Sequence, residues 1–211
     1  MNIINTKNII DTIPNNVLLV VVTKNQLSDD INQLYALGLN NFAENKLQSI
    51  IEKKDLYPGV NWHFIGRIQT NKVKDIVKNC SLIHSVSSIK VIDKINNEAN
   101  KLNKIQPCLI QFNIANESTK DGFETVQAHD IFNYASTLSN IKLKGIMLMG
   151  PHTEDEKVID EVFNQGYQLQ QTLVKDFPDC IEISMGMSND YKLAITNHST
   201  MLRIGSVLFN T

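Results

Sequence analysis

Val17-Leu18-Leu19-Val20-Val21-Val22-Thr23-Lys24 sets six branched apolar residues in succession and then ends abruptly on a hydroxyl and an amine. Apolar side chains at both odd and even positions require burial on both faces, which marks a central parallel strand rather than an antiparallel one with a wet face. Lys24 therefore stands where a buried strand emerges. In barrels and open α/β sheets that end carries the chemistry, and a lysine held among apolar neighbours gives up its proton more readily and can act as an amine nucleophile. Alternatively, Lys24 simply marks the end of the strand and points into water, as lysines there commonly do.

Working outward, a helix is expected over residues 2–13, ended by Pro14, and another after Ser28 as N-cap, with Leu27, Ile31, Leu34 and Tyr35 on one face and Gly38 closing it. Further strands are expected at 41–45, 62–66, 82–86, 107–114, 142–149, 180–185 and 200–209, each of the first six followed by a helix. The clearest helix carries Ile89, Ile92, Ile95, Ala99 and Leu102 at three- and four-residue steps, and Glu154-Asp155-Glu156 suits the N-terminus of a long one. A short helix over 190–197 completes the alternation. Eight strand–helix units with short connections imply parallel strands and right-handed crossovers, and they close most simply into a (β/α)8 TIM barrel forming one domain over residues 1–211. An open doubly wound sheet is the alternative, and the lack of a G-x-G-x-x-G after the first strand counts against it.

Composition narrows the function. With 42% apolar and 20% charged residues the chain can bury a sizeable core, and its net charge of −2 gives no electrostatic reason to expect nucleic acid or an anionic membrane as partner. Three scattered cysteines suggest neither a disulfide framework nor a metal site, and the five histidines lack metal-ligand spacing. His63, inside an apolar strand, is expected to be a hydrogen-bonded interior residue. The N-terminal stretch has no basic start followed by an apolar run, and no stretch approaches the ~18 apolar residues that span a bilayer. A cytoplasmic, monomeric protein is the expectation.

If the barrel closes, the strand ends share one mouth. Thr23 and Lys24, Glu44 and Asn45, Gly66 and Arg67, and Asn113, Asn116 and Lys120 would gather there. Loops after the seventh and eighth strands of such barrels often cradle a phosphate, because small residues let backbone N–H groups approach its oxygens. Gly186 and Ser188, with Arg203, Gly205 and Ser206, are suitable parts, although glycine and serine near a turn also suit an ordinary loop. A lysine nucleophile and a phosphate cradle at one mouth suggest a cofactor that is both an aldehyde and a phosphate. Pyridoxal 5′-phosphate (PLP) is such a molecule.

Several segments carry a resemblance to the pyridoxal phosphate homeostasis protein family over nearly the whole chain. The strand ending Val22-Thr23-Lys24 resembles the family's V-[ST]-K, Phe42-Ala43-Glu44-Asn45 its F-G-E-N, and His63-Phe64-Ile65-Gly66-Arg67-Ile68-Gln69-Thr70-Asn71-Lys72 its H-F-I-G-x-L-Q-x-N-K. Glu117, Lys120 and Gly122 fit its E-x-S-K-x-G segment. Ser184-Met185-Gly186-Met187-Ser188 and Ser199-Thr200-Met201-Leu202-Arg203-Ile204-Gly205 resemble its S-M-G-M-S and S-T-x-V-R-I-G. The resemblance implies a barrel like the N-terminal domain of alanine racemase and a Schiff base between the cofactor and Lys24. It also implies contacts from Asn45 beside the ring, from Ser188, Arg203, Gly205 and Ser206 to the phosphate, and from Met187 at the rim. Such a protein holds PLP for apo-enzymes without being an established catalyst. Ala43, Lys46 and His198 depart from the family's glycine, tyrosine and glycine, and the chain lacks the basic tail that relatives usually carry.

Two enzyme alternatives stand beside this expectation. A racemase of the alanine racemase type needs a second proton carrier opposite the lysine, and none of the five tyrosines obviously reaches the mouth. A class I aldolase using Lys24 on a phosphorylated sugar would be purified without a coloured cofactor.

Overall fold

The computed structural model describes residues 1–117 and 119–210. Helix α1 (Ile3–Asp11) starts on Asn2, whose side chain accepts from the N–H groups of Ile4 and Asn5. The chain then alternates through β1 (Leu18–Val22), α2 (Ser28–Ala36), β2 (Asn41–Glu44), α3 (Leu47–Lys53), β3 (Asn61–Phe64) and, past a short 3-10 turn, α4 (Val73–Asn79). It continues through β4 (Leu82–Val86), α5 (Ile89–Lys101), β5 (Gln106–Gln111), α6 (Ala128–Ser136), β6 (Ile141–Met147) and α7 (Glu156–Asp176). The last elements are β7 (Glu182–Ser184), α8 (Tyr191–Thr196), β8 (Met201–Ile204) and α9 (Ser206–Phe209). The strands pair in parallel in chain order, and the cylinder closes where β1 meets β8 from Leu18 opposite Met201 to Val21 opposite Ile204.

The unbroken apolar run of β1 reflects the two layers it serves. Val20 and Val22 pack inside the cylinder with Ala43, whereas Val21 joins the shell between sheet and helices with Ile31 and Leu34 of α2. Each such side chain contributes about 1.5–3 kcal/mol when fully buried. Leu82, Leu109, Met147 and Met201 fill the rest of the apolar interior. By the two-residue period of a strand, Lys24 continues the inward series Leu18, Val20, Val22 beyond the ladder and so arrives at the mouth.

The structure revises several boundaries. The eighth strand, expected over 200–209, ends at Ile204, and the chain turns at Gly205 into α9. The apolar residues of that segment do not distinguish a strand from a short buried helix, which is why they misled. The fifth strand ends at Gln111 rather than at 114, with Phe112 retaining one bridge to Phe123. Ser28 is the first residue of α2 rather than its cap; Leu27 holds the cap position and makes no side-chain bond there. On α5, Ile92, Ile95 and Ala99 are fully buried, but Ile89 and Leu102 overhang its ends into solvent. Asp155 caps α7 by accepting from the Lys157 N–H, as the acidic run suggested. Among the described residues, no helix is long and apolar enough to cross a membrane.

Candidate functional site

The C-terminal mouth of the barrel opens into a cavity of about 700 Å³, a volume suited to a small organic cofactor. Of the seven residues expected to bind cofactor, Lys24, Met187, Ser188, Arg203, Gly205 and Ser206 all line it. Asn45 does not: it is exposed on the loop after β2 and its place in the site is not carried by the cavity wall. Lys46 is likewise exposed, at the N-cap of α3.

Lys24 itself is exposed, as one of the two readings of its strand end has it, because β1 stops at Val22 and only Thr23 stays in the packed wall. Its backbone is nevertheless well fixed. The Thr23 hydroxyl donates to Glu44 Oε1 at 2.7 Å, and Lys53 Nζ donates both to that oxygen at 2.5 Å and to the Thr23 carbonyl at 2.9 Å. Glu44 is fully buried, so this carboxylate is structural, tying the ends of β1 and β2 to α3. Asn25 turns the chain immediately afterwards with φ of 58°, a conformation asparagine tolerates better than most residues.

On another part of the cavity wall, two strands and their turns gather small residues and backbone donors. Gly186 has φ of 90°, and a Cβ there would fall 2.5 Å from that of Ala194, so only glycine lets the chain pass under α8. Beyond it, Ser188 Oγ accepts from the backbone N–H groups of Gly205 at 3.3 Å and Val207 at 3.2 Å. Two donors thus converge on one oxygen. Asp190 shapes the same turn by accepting from the Met187 N–H at 2.5 Å. Burial pushes the Asp190 carboxyl above the usual carboxylate range, while that N–H and Arg203 pull the other way.

Arg203 reaches the cavity from inside the barrel and is 3% exposed. Its Nη1 donates to Ser184 Oγ at 2.6 Å and its Nη2 to the Leu148 carbonyl at 2.9 Å. Burial lowers its pKa to about 10, with Asp190 opposing, so it remains a cation. Lys120 is the second amine on the wall; its Nζ donates to Glu117 Oε1 and to the Gly150 carbonyl, both at 2.7 Å. That hydrogen bond and the His152 N–H hold the Glu117 carboxyl below its ordinary value. Thr23 and Glu44 were expected at the mouth, but Lys53, which clamps them, and the bond from Arg203 to Ser184 were not. Neither has a local signal, because the partners meet only in the folded barrel.

A closed parallel barrel with an exposed amine, small-residue turns and an arginine on one cavity at its mouth fits a class, that of barrel domains of the alanine racemase type. Consistent with this, residues 4–211 match the family model described as alanine racemase, N-terminal domain. A relative from Aquifex aeolicus, named pyridoxal phosphate homeostasis protein, is 36% identical over 184 residues, covering 85% of this chain and 80% of its own. The chain belongs to the pyridoxal phosphate homeostasis protein family. Among solved structures, PipY of Synechococcus elongatus superposes with a TM-score of 0.93 without PLP and 0.88 with PLP bound, at 27% identity and covering at least 97% of both chains. Alanine racemase of Clostridium difficile shares the fold alone, with 17% identity and a TM-score of 0.82, and this chain spans 55% of its length.

Proposed function

We propose that this chain is a cytoplasmic PLP carrier, a single barrel domain that binds the cofactor covalently at Lys24 and yields it to apo-enzymes rather than turning over a substrate. The observation that carries this is the placement of Lys24, Ser188, Gly205, Ser206 and Arg203 on the wall of one cavity. The residues fit the group. Gly205 and Val207 already direct their N–H groups onto a single oxygen, as a phosphate requires, and the Lys24 amine is open to an aldehyde. When bound, PLP supplies that aldehyde and a conjugated ring that absorbs visible light. Ser188, Gly205 and Ser206 would hold the phosphate, Arg203 would add positive charge from below and Met187 would border the rim, whereas Asn45 lies off the cavity wall.

Water or a second amine would free the aldehyde from Lys24, and Lys120 is the other lysine on the cavity wall, whereas Lys46 lies outside it. The alternative of a two-base racemase is disfavoured because, among the described residues, no tyrosine lines the cavity to act opposite Lys24. A spectrum of the purified protein before and after borohydride tests the reading, with Lys24→Ala as control. Expected is a visible band in the wild type that borohydride bleaches and the variant lacks; an unchanged band in the variant moves the attachment elsewhere. Arg203→Ala should weaken retention without abolishing the band. Loss of optical rotation from L-alanine under excess PLP would establish the racemase instead.

A further inference from the structure

Beneath the cavity, five side chains from five strands form a continuous polar line through an otherwise apolar barrel. Asn41 Oδ1 lies 3.3 Å from His63 Nε2, His63 Nδ1 lies 2.8 Å from His84 Nε2, and His84 Nδ1 lies 2.8 Å from Ser184 Oγ, which accepts from Arg203. His63, His84, Ser184 and Arg203 are each at most 3% exposed. Burial pulls His63 down to about 4 and His84 well below the ordinary histidine range, so both rings are neutral at pH 7.

Neutral rings and a donor-only guanidinium leave two orders of the hydrogens, because the Ser184 hydroxyl can accept from Arg203 and still either donate to His84 Nδ1 or accept from it. The Asn41 amide chooses between them: its Nδ2 donates to Asn40 Oδ1 at 2.8 Å, which leaves its Oδ1 toward His63. His63 therefore carries its proton on Nε2 and donates to Asn41 Oδ1, His84 carries its own on Nε2 and donates to His63 Nδ1, and the serine hydrogen goes to His84 Nδ1. Asn41 Oδ1 also accepts from Asn61 Nδ2 at 3.3 Å.

One consequence concerns charge. Among the described residues no carboxylate stands within ion-pair distance of Arg203, although Asp190 acts on it at longer range; the guanidinium donates to a hydroxyl and a carbonyl. We propose that His84 is the positioning residue for Arg203: it commits the Ser184 hydrogen, keeps the serine lone pairs on the guanidinium, and so holds a fixed cation on the cavity floor for an electron-rich group of the ligand. His63 and Asn41 act one step further back by setting the tautomer of His84. Without the His84 acceptor the serine hydroxyl is free to turn its hydrogen toward the guanidinium. The proposal rests on the reading of this cavity as a PLP site, but the hydrogen arrangement exists without ligand.

Two measurements test it. Nitrogen-15 NMR of histidine-labelled, cofactor-free protein at neutral pH should find both interior rings neutral with the proton on Nε2; a ring protonated on Nδ1, or charged, overturns the chain. The second measurement is PLP retention, read from the visible band during dialysis, in His84→Phe and His84→Asn. Asparagine places its oxygen near the position of Nδ1 and keeps the acceptor, whereas phenylalanine keeps only the volume. Loss of one ordered hydrogen bond to a charged group should weaken retention about tenfold in His84→Phe, and His84→Asn should recover most of it. Equal retention in wild type and His84→Phe, or equal losses in both variants, overturns the proposal. If His84→Phe fails to fold, Ser184→Ala removes the same acceptor from Arg203 and should show the same tenfold loss. A colourless wild type would sink the cofactor reading, and the NMR result would still decide the chain.

Discussion

Replacing Lys53 by methionine should destabilise the barrel at the base of the proposed attachment site, and the structure supplies the magnitude. Glu44 is fully buried; its Oε1 receives Thr23 Oγ1 and Lys53 Nζ, and its Oε2 has no hydrogen-bond partner. Methionine fills most of the volume of the lysine stem but removes the cation paired with Glu44, leaving, among the described residues, a buried carboxylate with a single hydroxyl donor. Breaking a buried pair in this way costs about 3–5 kcal/mol. The Lys53 side chain is 19% exposed, so water can partly replace it and the lower end, about 3 kcal/mol, is expected. Against a total stability of about 5–15 kcal/mol this is a large fraction. The assay is equilibrium urea unfolding of wild type and Lys53→Met at neutral pH. The double variant with Glu44→Gln should regain part of the loss. A difference below about 1 kcal/mol, or a double variant no more stable than Lys53→Met, would refute the assignment of Glu44 and Lys53 as a buried pair.

Acid should also weaken the wild type through its interior histidines. Burial depresses His63 from 6.5 to about 4, so the unfolded chain takes up a proton that the folded one refuses. Stability from this source is complete above about pH 6.5 and is lost as the pH falls toward 4, amounting to about 2 kcal/mol between pH 7 and 5, with His84 acting in the same direction. Urea midpoints that stay flat over that window would contradict it. Gly186→Ala places a Cβ in a backbone conformation at φ of 90° and against Ala194, and thermal melts should register a loss of about 1–3 kcal/mol. Ser188→Ala removes the acceptor shared by Gly205 and Val207; retention of PLP should fall about tenfold while the melting temperature moves little, since the freed donors can be hydrated at the half-buried rim. A variant that keeps its colour on dialysis as wild type does would remove Ser188 from the cradle.

The run from Val17 to Lys24 determined a parallel, doubly covered strand with an amine at its end, because a two-residue side-chain period states locally which faces are buried. The repeated strand–helix alternation determined the barrel, and closure then brought Lys24, Ser188, Arg203, Gly205 and Ser206 to one mouth as the motifs suggested. Periodicity cannot say where a ladder stops, so the strand expected over 200–209 overruns Ile204, and it leaves open whether Lys24 is enclosed or exposed. Nor could it choose partners across the barrel. His84 and Ser184 are 100 residues apart, on β4 and β7, and Glu44 meets Lys53 only because α3 folds back on β2. A local pattern encodes the face a residue presents, whereas the atom it meets there depends on how the whole cylinder shuts. The hydrogen-bonded line from Asn41 to Arg203 was therefore decided by the tertiary structure alone.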